Sequence, residues 1–192
     1  MALKYFLFIR HGKTTSNLER RYIGNLNEPL CAEGIREAKT LLHSNTLPPI
    51  KALMSGPALR CRQTAELLFP YVDYRLCQLV EIDFGVFKGK NADDLLGDIE
   101  YEQWLSTNCM GNIPGGDSVD CFKERCCDTF ENIVETSGLG ATALVIHGGN
   151  IMAILEKYAF PKLGFYEYHI PNCGYIFCRY ENGVLYKEMI HG

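Results

Sequence analysis

The stretch Tyr5-Phe6-Leu7-Phe8-Ile9-Arg10-His11-Gly12 decides how the whole chain is read. Its first five residues leave no polar face, the pattern of a strand buried on both sides of a parallel sheet. The run breaks directly into Arg-His-Gly. Two further segments have the same form. Ala52–Ser55 is a short strand candidate, and Ala143–His147 is an unbroken apolar run ending at His147-Gly148-Gly149. Helical patterns separate them. Ile35, Ala38, Leu41 and Leu42 share a face, as do Leu59, Ala65, Leu67 and Leu68, and Ile151, Ile154, Leu155 and Tyr158. The clearest helix is Ser118–Glu135, with a stripe of Val119, Phe122, Cys126, Phe130, Ile133 and Val134 starting after Pro-Gly-Gly-Asp. Near the end, Cys173–Tyr180 and Val184–Ile190 are strand-like and joined by Glu181-Asn182-Gly183, a hairpin signal.

Strand–helix alternation closed by such a hairpin predicts α/β: a three-layer α/β/α domain with a mostly parallel central sheet. With no repeat, linker or low-complexity tract, residues 1–192 read as a single domain, with a helical insertion at about 89–116 that borders a site. Hydrophobic residues at 47% and charged residues at 22% exclude a disordered chain. A net charge of −4 argues against nucleic acid or an anionic membrane as the main partner. Nine cysteines without any C-x-x-C pair do not resemble a structural zinc site. The apolar run Tyr5–Ile9 is too short for an export signal or a membrane span, so reduced cysteines and a cytoplasmic location are expected.

In open α/β sheets, ligands bind beyond the carboxyl ends of the strands. Here those ends carry Arg10-His11-Gly12, His147-Gly148-Gly149, and Ser55-Gly56-Pro57 followed by Arg60 and Arg62. Two histidines and at least two arginines converging on one crevice suit an anion with several oxygens, phosphate first. Each piece alone has a plainer reading. A strand-end histidine is more often structural than catalytic, and an arginine at a helix start usually meets solvent. The joint occurrence at three strand ends outweighs both.

The run from Arg10 to Asn17 resembles the R-H-G-x-T-x-x-N signature of the histidine phosphatase superfamily, which includes cofactor-dependent phosphoglycerate mutases. The resemblance continues in order through Tyr22-Ile23-Gly24, Glu28-Pro29-Leu30 and Gly34. Ser55 to Ala65 is similar to an S-x-x-x-x-R-A-x-Q-T-A helix, with Cys61 in place of alanine. Glu81 to Gly89 is similar to the acid-bearing segment of the phosphatase branch, and Val145 to Gly149 to the second histidine motif.

That resemblance implies a role for each matching residue. His11 is the expected nucleophile, with its second ring nitrogen fixed by a carbonyl near Gly12. Arg10, Arg60 and His147 are expected to hold the phosphoryl oxygens, with Asn17 and the Gly148 N–H as neutral donors. Glu81 is the expected proton donor to the leaving alkoxide, and Asp83 is the alternative acid. Ile23 and Gly24 are expected on the substrate rim, with Trp104 in the bordering insertion. Cationic side chains take the part of a metal, so neither metal nor cofactor is expected. Lys13 departs from the acidic residue usual in its position and receives no role; Arg62 is expected at solvent or in an ion pair. His43, His169 and His191 match no motif and read as surface or structural.

Mutases of this kind resemble longer chains with a larger insertion and a C-terminal tail over the site. The present chain stops two residues after its last expected strand. The sequence therefore predicts a phosphomonoesterase acting on a small phosphorylated metabolite, with α-ribazole 5′-phosphate one candidate. A phosphoglycerate mutase and a non-catalytic phospho-ligand module are the alternatives.

Overall fold

The computed structural model describes residues 3–192. A seven-stranded sheet carries β1 (Lys4–Arg10), β2 (Ala52–Ser55), β3 (Tyr74–Leu76), β4 (Gly140–Ile146), β5 (Ala159–Phe160), β6 (Tyr175–Glu181) and β7 (Val184–His191) in the order β3-β2-β4-β1-β6-β7-β5. β1 pairs parallel with β4 and antiparallel with β6, β6 pairs antiparallel with β7, and the remaining pairs are parallel. Only β6 therefore runs against the other six strands. The expected hairpin is present. Asn182 and Gly183 join β6 to β7 with φ of 50° and 82°, the left-handed pair that a two-residue turn requires.

The central position of β1 follows from its apolar run. Phe6 and Phe8 enter one core, Leu7 and Ile9 the other, and all four are fully buried. Helices cover both faces. On the Phe6 side lie α5 (Val119–Thr136) and α6 (Gly148–Tyr158), where Phe130 meets the rings of Phe6, Phe8, Tyr158 and Tyr180 at 5.0 to 6.3 Å. On the Leu7 side lie α2 (Ala32–His43) and α3 (Leu59–Leu68). The one-turn α1 (Thr15–Leu18) follows β1 and the insertion helix α4 (Ile99–Ser106) follows β3, and Asn17 of the first and Trp104 and Leu105 of the second line one cavity. Among the described residues no helix is long and apolar enough to cross a membrane. The nine cysteines are unpaired, and six of them are buried.

Two expectations need correction. The buried face of α3 is Arg60, Cys61, Thr64, Ala65 and Leu68, whereas Leu59 and Leu67 are only half-buried. An apolar stripe cannot reveal a face that buries an arginine and a threonine. β3 and the two-residue β5 were not expected. Each is too short to show a period of its own and owes its extended form to a longer neighbour.

α2 clamps the segment after His11. Cys31 donates its N–H to the Lys13 carbonyl at 2.9 Å, and Lys13 Nζ bonds Glu33 and Glu37 at 2.5 and 2.7 Å. Lys13 thus turns away from the strand ends. Gly34 faces the same backbone so closely that a Cβ there would lie 2.2 Å from the Lys13 oxygen and 2.6 Å from its nitrogen. Replacing Gly34 by Ala is expected to cost about 1–3 kcal/mol through forced backbone displacement. Urea unfolding should show a lower midpoint with an unchanged slope.

Candidate active site

Residues from β1, α3, the β4–α6 junction and the segment after β3 meet at the carboxyl edge of the sheet. His11 is held from every side. Its N–H donates to Ile146 O at 3.0 Å, its carbonyl accepts from Asn172 Nδ2 at 2.9 Å, and Gly12 donates to Thr64 Oγ1 at 2.9 Å. The Thr64 hydroxyl donates in turn to Arg60 O at 2.7 Å, linking α3 to the loop after β1. The His11 ring is 3% exposed.

Two contacts determine its tautomer. Nδ1 lies 2.8 Å from the Gly12 carbonyl, which can only accept, while Arg60 Nε lies 3.3 Å from Nε2 and can only donate. The proton therefore sits on Nδ1, and Nε2 keeps its lone pair. Burial, reinforced by the Arg60 and Arg10 cations, holds the His11 pKa well below 6.5, so the ring is neutral at pH 7.

Arg60 is 1% exposed. Its Nη1 donates to Leu26 O at 2.5 Å and its Nη2 to Gly24 O at 2.7 Å and His147 Nδ1 at 3.3 Å. Gly24 takes a φ of 55°, and a Cβ there would lie 2.8 Å from Ile82 O, so only glycine presents this carbonyl. His147, 1% exposed, is also held well below its ordinary pKa, by burial first and then by Arg60. Its ring centroid lies 5.2 Å from that of His11. The Cys61 Sγ sits 3.5 Å from its Nε2, a thiol where the motif has a methyl group.

Arg10 donates twice through Nη1, to Ile170 O at 2.8 Å and to His169 Nε2 at 3.0 Å. Its Nε is buried with no partner among the described residues. Gly148 packs on this guanidinium, where a Cβ would come within 3.3 Å of Nε. Asn17 accepts from the Thr14 N–H and hydroxyl at 3.1 Å each, and among the described residues its amide N–H groups make no hydrogen bond.

Glu81 faces the same cavity. Burial raises its pKa, opposed by the Ile82 N–H and by Arg60 and Arg10. Its Oε2 is 4.0 Å from His147 Nδ1, but the depressed imidazole is neutral, so this contact is not an ion pair. Gly149 provides the room, since a Cβ there would lie 2.4 Å from Glu81 Oε1. Asp83 is elsewhere. Its carboxylate bonds Lys88, Asn25 and Gly85 at 2.8 to 2.9 Å, which lowers its pKa against the effect of burial. It has no place on the cavity wall.

The cavity measures about 680 Å³, and its wall includes Arg10, His11, Asn17, Arg60, Glu81 and Gly148. Ile23, Gly24 and Trp104 line its outer part as expected. Arg62 stays outside it. His169, read from the sequence as surface or structural, is exposed, lines the cavity and bonds Arg10. Thr64, Asn150 and Asn172 also escaped sequence reading. Asn150, fully buried, accepts from the His147 N–H at 3.3 Å and donates to Val80 O at 3.0 Å, joining the two segments that carry His147 and Glu81. Among the described residues no three His, Cys, Asp or Glu side chains cluster closely enough to hold a metal ion.

Arg10 and Arg60 beside two neutral imidazoles, at the carboxyl edge of a mostly parallel sheet, are the arrangement to which the sequence motifs pointed. The family model of the histidine phosphatase superfamily (branch 1) matches residues 6–189, and the chain belongs to that superfamily. Its fold is similar to that of the alpha-ribazole phosphatase from Shigella flexneri, with a TM-score of 0.84 at 19% identity, covering 98% of this chain and 96% of that one. A phosphoglycerate mutase from Thermus thermophilus matches with a TM-score of 0.73 at 28% identity, covering 98% of both chains. A Klebsiella pneumoniae relative named "Probable phosphoglycerate mutase GpmB" is 29% identical over 145 residues, 73% of this chain and 67% of its own length.

The pKa directions predict the pH dependence of stability. His11 and His147 bind protons more weakly when folded, so stability is full above about 6.5 and falls as the pH drops below it. Glu81 binds its proton more tightly when folded, so stability is lost as the pH rises through its raised pKa. Glu81→Gln cannot ionise. It should gain stability relative to wild type as the pH rises above about 4 in a urea-unfolding series.

Proposed function

We propose that this protein is a metal-independent phosphomonoesterase that works through a phosphohistidine on His11. The observation that carries the reading is the neutral His11, its Nε2 lone pair directed at Arg60 while Nδ1 is tied to Gly12 O. An imidazole so held is a nucleophile at neutral pH.

In the proposed reaction a phosphoryl group binds among Arg10, Arg60, His147, Asn17 and the Gly148 N–H. Its negative charge raises the pKa of His147, which then serves as a third cation. His11 Nε2 attacks phosphorus and the P–O ester bond breaks. Glu81, whose pKa burial raises, gives its proton to the departing oxygen. Water then attacks the phosphohistidine, its proton passes to Glu81, and phosphate leaves as the P–N bond breaks. The arginines stabilise the transferring group without a metal ion.

The cavity beyond the phosphate groups supports a monophosphate with a flat, apolar leaving group. Tyr22, Phe84, Trp104, Phe122, Phe165 and Tyr166 form much of its wall. The remaining arginine there, Arg21, is committed to Glu19 and Asp94 at 2.6 Å each and to Gly89 O at 2.8 Å. Among the described residues, a second phosphate or a carboxylate finds no free cation in this half of the cavity. A phosphorylated aromatic riboside such as α-ribazole 5′-phosphate fits that description better than a phosphoglycerate. The mutase names of the sequence relatives favour the second reading.

Product analysis separates the two. With 3-phosphoglycerate and a bisphosphoglycerate primer, free phosphate should form faster than 2-phosphoglycerate; the reverse ratio establishes the mutase. Hydrolysis should withstand EDTA and be inhibited by vanadate, which imitates the in-line transition state.

Glu81→Gln should slow hydrolysis of an alkyl phosphate on the order of a hundredfold or more. The variant should suffer less in the first step with p-nitrophenyl phosphate. An acid-labile phosphoprotein should then accumulate in rapid-quench samples. Equal losses on both substrates without a phosphoprotein would assign the proton transfer elsewhere.

A further inference from the structure

Arg10 has a partner that no motif announces. Two acceptors engage its Nη1, the Ile170 carbonyl at 2.8 Å and His169 Nε2 at 3.0 Å, so both hydrogens of that nitrogen are used. Both come from the segment after α6, beyond the 3₁₀ turn Phe165–Tyr168. Because a guanidinium only donates, His169 must present an unprotonated Nε2 and carry its proton on Nδ1. Partial desolvation on the side that faces Arg10, and the Arg10 charge, both lower its pKa and favour this neutral ring. With Nη1 saturated, the plane of Arg10 is set. The edge left for a ligand is formed by Nε, buried and unpartnered among the described residues, together with Nη2. That edge has the two parallel N–H bonds that grip a phosphoryl group.

We propose that His169 is a positioning residue for phosphate binding, holding the Arg10 guanidinium so that its Nε/Nη2 edge faces the phosphoryl oxygens. His169 acts through Arg10, and the inference rests on the phosphate-site reading given above. The acceptor on His169 is what matters, not its charge or its ring. Without it, Nη1 keeps one anchor, and the guanidinium spends part of its time turned from the ligand. Bidentate geometry is then formed at the cost of ordering a mobile side chain.

The test uses calorimetric titration of the full chain with inorganic phosphate, which needs no turnover. His169→Ala should bind phosphate about tenfold more weakly. His169→Gln, whose side-chain oxygen accepts a hydrogen bond at similar reach, should recover affinity to within about threefold of wild type. Unfolding midpoints of the three proteins should agree, since His169 is exposed. The loss in kcat/KM for His169→Ala should be the same for p-nitrophenyl phosphate and an alkyl phosphate, because Arg10 serves the part they share. Wild-type phosphate affinity in His169→Ala overturns the proposal. So does equal weakening in the Ala and Gln variants, or a loss confined to one leaving group, which would make His169 a leaving-group contact. If wild type hydrolyses no ester yet the Ala and Gln variants show the expected pattern, the hydrolase reading falls and the positioning role stands.

Discussion

The Arg60 guanidinium is a full positive charge at 1% exposure that forms no salt bridge among the described residues. Most of its bonds go to backbone carbonyls and to imidazole nitrogens. Burying a cation on such terms is expensive, since dipoles replace only part of its hydration. Much of the surrounding architecture is organised by that charge. The loop bearing Gly24 and Leu26 must curl to offer its carbonyls, and Gly24 must adopt a backbone form open to few other residues. His11 and His147 must stay neutral beside it. On the reading proposed above, an incoming phosphate dianion would supply the missing countercharge, and the energetic deficit of the buried cation would become affinity for it.

The same charge separates the ionisation states around it. Burial pushes the two imidazoles well down, leaving them neutral at pH 7, and pushes the Glu81 carboxyl up. The proposed phosphoryl transfer calls for such a division, with one group to attack and another to protonate. Precision comes from residues that do not reach the cavity. Thr64 ties Gly12 to Arg60, Asn150 ties the His147 turn to Val80, and Asn172 holds the His11 carbonyl. Gly34 and Gly149 act by the absence of a methyl group, each allowing an approach that alanine would block.

The apolar run of β1, the strand-end histidines and the stripe of α5 were legible because each is local and periodic. Their readings agree with the sheet order, the two cores and the placement of His11, Arg10, Arg60 and Glu81 on one cavity, with His147 bonded to Arg60 and packed on His11 just outside its wall. The face of α3 was misread, because an amphipathic argument counts apolar residues and this helix buries Arg60 and Thr64 instead. Asp83, two residues from Glu81, looked equivalent on paper. Only the turn of the chain sends one carboxyl into the cavity and the other to Lys88.

His169 lies 159 residues from Arg10, and nothing in its own neighbourhood distinguishes it from His43 or His191. The sequence by itself determined the superfamily, the α/β layering and the side chains that meet at the inner end of the cavity, since those rest on short motifs and on the period of side chains along one element. Tertiary structure alone decided which tautomer His11 carries, which edge of Arg10 is open, which carboxyl is buried, and that aromatic rings wall the outer cavity. The physical reason is range. Periodicity and capping act within a few residues, whereas tautomer, pKa and guanidinium orientation depend on groups brought within about 3 Å from distant parts of the chain.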